Sequence, residues 1–170
     1  MEQSPHIKLW IIGLVMFALV IALGAMVSSA SVFGITDHQA AGTADQVDLI
    51  QADWRDNGVR TIAIISMIGD LLFIGVYGWG SYVAGRSFAR MSNAAVRAIG
   101  WIVALAAIVF LVTDYVETIL QVIQLIRESG SDLMAGIAAT AQPVKSVAWI
   151  VTFFGVIAAL IIRRLSGQST

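Results

Sequence analysis

Four runs of apolar residues, 10–30, 62–84, 98–126 and 144–162, decide what this chain can fold into. Each is long enough to cross roughly 30 Å of hydrocarbon, which takes about 20 helical residues. A backbone inside lipid has no water to bond with, so every run is expected to close its own amide bonds as an α-helix. Composition agrees: 58% of residues are apolar and 12% charged, against about 25% charged in a soluble domain. The expected architecture is an all-α integral membrane protein, a single four-span bundle over residues 1–170. The first run has a charged flank in Lys8 and small residues at Ser28-Ser29-Ala30, as a signal peptide would. It exceeds the usual apolar core of about 7–15 residues, so it reads as a retained span.

Cations set the expected orientation. Lys8, Arg86, Arg90, Arg97, Arg163 and Arg164 fall on one side of the four runs, and Arg55, Arg60 and Arg127 on the other, with Lys145 just inside the fourth run on that second side. Positive residues concentrate in the cytoplasm, so both termini are expected there, in a bacterial inner membrane. Trp10, Trp79 and Trp101 then fall near the cytoplasmic interface, as an aromatic belt requires.

The long outer loop, residues 31–59, is acidic, with Asp37, Asp45, Asp48, Asp53 and Asp56. Inside it Thr43 and Gln46 have capping-box spacing, Val47, Ile50 and Trp54 recur at helical intervals, and Asn57-Gly58 supplies a stop. A short amphipathic helix at the outer surface is expected, as a lid, a docking surface or simply a cover for the bundle. The inner loop, 85–96, is short and basic, with Asn93 a cap for the third helix. The second outer loop, 128–142, is rich in small residues, and Pro143 is expected in the first turn of the fourth helix.

The chemistry concentrates in three intramembrane acids. Asp70, Asp114 and Glu117 lie in otherwise apolar runs, where a carboxylate costs about 2.5–3.5 kcal/mol and so normally faces the bundle or water. Counting at about 1.5 Å per residue puts Asp70 and Glu117 about 15 Å inside their flanking arginines and Asp114 about 20 Å inside. All three therefore fall within about one turn of one another. Asp114, Glu117, Thr118, Gln121 and Gln124 share one face of the third helix; Ser66, Asp70 and Tyr77 share one face of the second; Lys145, Trp149 and Thr152 share one face of the fourth. Two readings stand. In the structural one, Lys145, Thr118, Tyr77 and Tyr115 satisfy the acids and tie the helices together, at about 0.6–2 kcal/mol per interhelical hydrogen bond. In the functional one, a single cation cannot neutralise three carboxylates, and Asp70, Asp114, Glu117, Thr118, Gln121, Ser66, Tyr77 and Lys145 form a site for a proton, a cation or an amine.

Several functions lack equipment. The only histidines, His6 and His38, lie outside the runs, so a transmembrane b-type haem has no axial ligands of this chain's own. Asp114-x-x-Glu117 has the spacing of a di-iron carboxylate motif without its histidine. There is no cysteine for an Fe–S cluster or thiolate zinc. A hard cation such as Ca²⁺, Mg²⁺ or Na⁺ suits the oxygen donors, and Asp37-His38 is a weak further candidate. No nucleophile–base set or P-loop occurs, and no basic block suggests nucleic acid as a partner. Gly75, Gly78, Gly80 and Gly85, with Gly24-x-x-x-Ser28, mark close helix packing or an interface with another membrane protein. No cofactor is evident, and the expected partners are membrane lipid, other membrane subunits or copies of the chain. The leading expectation is a transport or ligand-binding protein with an outward-opening carboxylate pocket. The alternative is an accessory subunit of a larger membrane complex, and an enzyme using the acids as general acid and base ranks last.

Overall fold

A computed structural model describes residues 5–166, which are helical apart from short connections, with no strand among them. The elements are α1 (Lys8–Ala30), α2 (Ile35–Ala40), α3 (Ala44–Asp56), α4 (Arg60–Phe88), α5 (Ala94–Arg127) and α6 (Asp132–Ser166). Four of them, α1, α4, α5 and α6, are long and apolar enough to cross a membrane and mark the chain as an integral membrane protein. The chain's two ends, residues 1–4 and 167–170, whose side the cation argument assigns, lie outside the described residues.

The long helices form a four-membered ring in the order α1, α4, α5, α6. Glycines set how closely its walls approach. A Cβ at Gly85 of α4 would stand 2.6 Å from the Ala104 amide of α5, and one at Gly80 would stand 2.5 Å from the Trp10 amide of α1. Small residues at these positions let backbones touch, which is how helices associate in a solvent as apolar as themselves. The approach at Gly80 turns Trp10 into the bundle, where it is 6% exposed, while Trp79 and Trp101 are more than half exposed. Trp10 is thus a core residue, and two of the three expected belt tryptophans face outward.

The short helices close one end of the ring, the cap end. Thr43 caps α3 by accepting from the Gln46 amide, and Val47, Ile50 and Trp54 turn inward and are buried. Helix α2 escapes the periodicity argument because six residues are too few to show a period; Gly34 opens it, with its amide donating to the Asp37 carboxylate at 2.7 Å. The Asp132 carboxylate accepts from the Ala44 amide at 2.8 Å, which fastens α3 to the start of α6.

One expectation is corrected here. Pro143 does not open the fourth helix; α6 begins at Asp132, and Pro143 lies inside it. The segment ahead of it, DLMAGIAATAQ, is dominated by good helix formers. The proline removes one amide donor, a loss tolerated in membrane helices where neighbouring groups re-satisfy the backbone. Thr140 and Ser146 hydroxyls flank it, donating to the Gly136 and Gln142 carbonyls.

Candidate functional site

The polar stripe of α5 faces inward. Asp114, Glu117, Thr118, Gln121 and Gln124 are each no more than 2% exposed, so none meets lipid. They can be buried because α4 and α6 turn their own polar seams towards them. Lys145 of α6 places Nζ 2.8 Å from Asp114 Oδ1 and 2.9 Å from Glu117 Oε1, bridging two carboxylates on successive turns of α5. The Thr118 hydroxyl, with one proton to give, lies 3.2 Å from Asp70 Oδ2 on α4 and 3.4 Å from Asp114 Oδ1. Gln121 donates to Glu117 Oε1 at 3.4 Å. Three acids from two helices thus share one lysine and one hydroxyl. Such an arrangement is expensive to bury, and each lost partner would leave a charge uncompensated.

The partners are unevenly distributed. Asp114 and Glu117 hold the lysine; Asp70 has no cation within 4 Å among the described residues. Glu117 Oε2 and Gln121 Oε1 are buried without a partner. Tyr77 lies about two turns along α4 from Asp70, and its hydroxyl pairs with Thr152 of α6 at 2.9 Å, among the rings of Phe73, Phe110 and Trp149. The Tyr115 hydroxyl lies against Gly75. Neither tyrosine therefore bonds a carboxylate: the seams of α4 and α6 meet in two layers, ionic at Lys145 and neutral at Tyr77–Thr152.

A cavity of about 640 Å³ opens beside the ionic layer. Ser66, Asp70, Asp114 and Lys145 form its polar wall, and Phe17, Phe73, Phe110 and Trp149 much of its apolar one. Its outer wall is α1 from Phe17 to Ser28, and its roof at the cap end is α2, through Ile35, Thr36 and Gln39. The α1 and α2 contributions were not legible in the sequence. Gly24-x-x-x-Ser28 reads there as a packing motif, yet a Cβ at Gly24 would meet only the Ile35 side chain, at 3.7 Å. That glycine enlarges the cavity rather than drawing two backbones together.

The seam between α1 and α6 is the least packed of the four. Around the ring, α1–α4, α4–α5 and α5–α6 are packed helix on helix, whereas α1 and α6 meet through aromatic side chains. Phe17 and Trp149 close the gap on one side, with ring centroids 5.1 Å apart. Helix α2 bridges to α6 on the other, near Gly42 and Ala139. Ala139 and Trp149 are ten residues apart along α6, about 15 Å at the helical rise. Of the residues lining the cavity, Ile21, Ala25 and Ser28 of α1, Thr36 of α2 and Ile150 of α6 are exposed.

His38 on α2 is 1% exposed, its ring tilted 30° against that of Trp54 of α3 with centroids 5.0 Å apart, and its Nε2 lies 3.4 Å from Gln51 Nε2. Burial lowers its pKa from 6.5 to about 4, so it is a neutral packing residue near neutral pH. Asp37 beside it caps α2. Among the described residues no three His, Cys, Asp or Glu side chains are placed to hold a metal ion. No protein-family model, curated protein or solved structure matches this chain.

Proposed function

We propose that this chain is a membrane-embedded binding or transport protein whose intramembrane carboxylate pocket takes up a proton, a cation or an amine-bearing lipophilic ligand. The observation that carries the reading is a cavity of about 640 Å³ whose largely apolar wall includes Asp70, Asp114 and Lys145. Its volume falls in the range of about 300–1,000 Å³ typical of small-molecule sites, and mostly apolar walls with a few convergent polar groups are their usual composition. Intramembrane acids are costly, and they mark ion and substrate pathways in membrane proteins generally. The cation distribution puts the cap end outside and the termini in the cytoplasm, so the pocket lies nearer the outer face of a bacterial inner membrane.

The test is binding and pH dependence in reconstituted protein. Asp114→Asn and Glu117→Gln, each expressed and folded at wild-type level, are expected to change ligand affinity or its pH profile. If both variants bind and titrate as the wild type does, the acids serve the fold alone. Recovery of the chain in mild detergent with a partner of fixed stoichiometry would favour an accessory subunit instead.

A further inference from the structure

The pocket's charge pattern and its opening point to the same kind of ligand. Among the three acids, Asp114 and Glu117 share the lysine at 2.8 and 2.9 Å, while Asp70 has one neutral hydroxyl donor at 3.2 Å. Asp70 also faces the cavity, whereas Glu117 is sealed behind it at 0% exposure. The group left to be neutralised is therefore the group a ligand can reach. A bare hard cation fits poorly: Ca²⁺ takes about six to eight oxygens, and no three acidic or histidine ligands converge among the described residues. An ammonium needs fewer partners and gains from aromatic faces, which Phe17, Phe73, Phe110 and Trp149 provide in the same wall.

The route follows from the walls. The exposed residues that line the cavity are polar at the cap end, Ser28 and Thr36, and apolar along the thinly packed seam of α1 and α6, Ile21, Ala25 and Ile150. Those apolar rim residues face the acyl chains when the four helices span a bilayer. An apolar body can slide through such a rim without leaving hydrocarbon, and its charged end then meets Asp70, the acid of the three with no cation within 4 Å.

Resting on the pocket reading above, we propose that the ligand is a membrane-dissolved amphiphile with a single protonated amine. It enters between α1 and α6, pairs its ammonium with Asp70, and lays its apolar body along the aromatic wall.

The experiment uses the full chain in zwitterionic lipid nanodiscs, with radiolabelled dodecylamine as probe and empty nanodiscs subtracted. The expected result is saturable binding of one amine per chain, displaced by unlabelled dodecylamine but not by methylamine or dodecanol. Asp70→Asn is expected to weaken it tenfold or more. Gly24→Leu supplies an independent variant, since there is room for its Cβ and its side chain would project into the cavity; it too should weaken binding tenfold or more, with thermal unfolding as in the wild type. If Asp70→Asn binds normally while Asp114→Asn or Glu117→Gln does not, the assignment to Asp70 is overturned and the pocket reading survives. Displacement by methylamine as effective as by dodecylamine would overturn the lipophilic class and likewise spare the pocket. Absence of saturable amine binding, together with proton uptake unchanged in all three acid variants, overturns both.

Discussion

Lys145 holds two carboxylates at once, and the cost of removing it measures how far the cluster is structural. Lys145→Met would leave Asp114 and Glu117 facing each other in a site no more than 2% exposed. Stranding buried charge typically destabilises by about 3–5 kcal/mol. That loss is expected in denaturant titrations of the micelle-solubilised protein, and it should shrink in an Asp114→Asn, Lys145→Met double variant. His38 offers a second prediction at this scale. Its folded pKa of about 4 lies below its unfolded value of 6.5, so the unfolded state binds the extra proton between those limits. Stability contributed by neutral His38 is whole above pH 6.5 and is lost as pH falls towards 4, by about 3 kcal/mol at roughly 1.4 kcal/mol per unit. Trp54 fluorescence should follow that loss, since the rings are in contact, and His38→Gln should flatten the pH response. Lys145 was legible as the one cation inside a run, with a stem long enough to reach Glu117, but that it would also hold Asp114 depended on the rotation of α6 against α5.

Between elements, glycines act in two opposite ways that their spacing does not distinguish. At Gly85 a side chain would strike the Ala104 backbone, so Gly85→Ala should cost at least about 1–3 kcal/mol of stability through overpacking. At Gly24 the added methyl meets a flexible Ile35 at 3.7 Å, and Gly24→Ala should be neutral or stabilise by up to about 1 kcal/mol, the helix-propensity difference. Chemical denaturation of the two variants side by side reads the contrast. The four long helices were legible because hydrocarbon thickness and backbone hydrogen bonding leave few alternatives. The ends of α6 were not, because an internal proline reads locally as a boundary while the membrane permits it inside a helix. Helix α2 is set by Gly34 and Asp37 and by packing on Trp54, none of which leaves a periodic trace.

At the scale of the molecule, the account describes an incomplete ring. Three seams are packed by helices; the fourth, beside the cavity, is held by aromatic pairs. That the acids would lie at one depth and on inward faces followed from counting residues. That a cavity would sit beside them, walled by α1 and roofed by α2, did not, because the polar seams by themselves fit a sealed core equally well. Everything functional depends on Lys145 standing between Asp114 and Glu117 with Asp70 outside salt-bridge distance of it. The chain has two lysines, Lys8 and Lys145, so a Lys8→Arg variant carries a single ¹⁵Nζ label in the spans. The most direct measurement is ¹⁵N–¹³C dipolar recoupling by solid-state NMR in lipid, from that nitrogen to ¹³C-labelled Asp and Glu carboxyls. The account predicts strong contact dephasing by one Asp and one Glu carboxyl, lost in Asp114→Asn and Glu117→Gln respectively and unaltered in Asp70→Asn. A Lys145 nitrogen in contact with neither carboxyl, or with Asp70 instead, would contradict it.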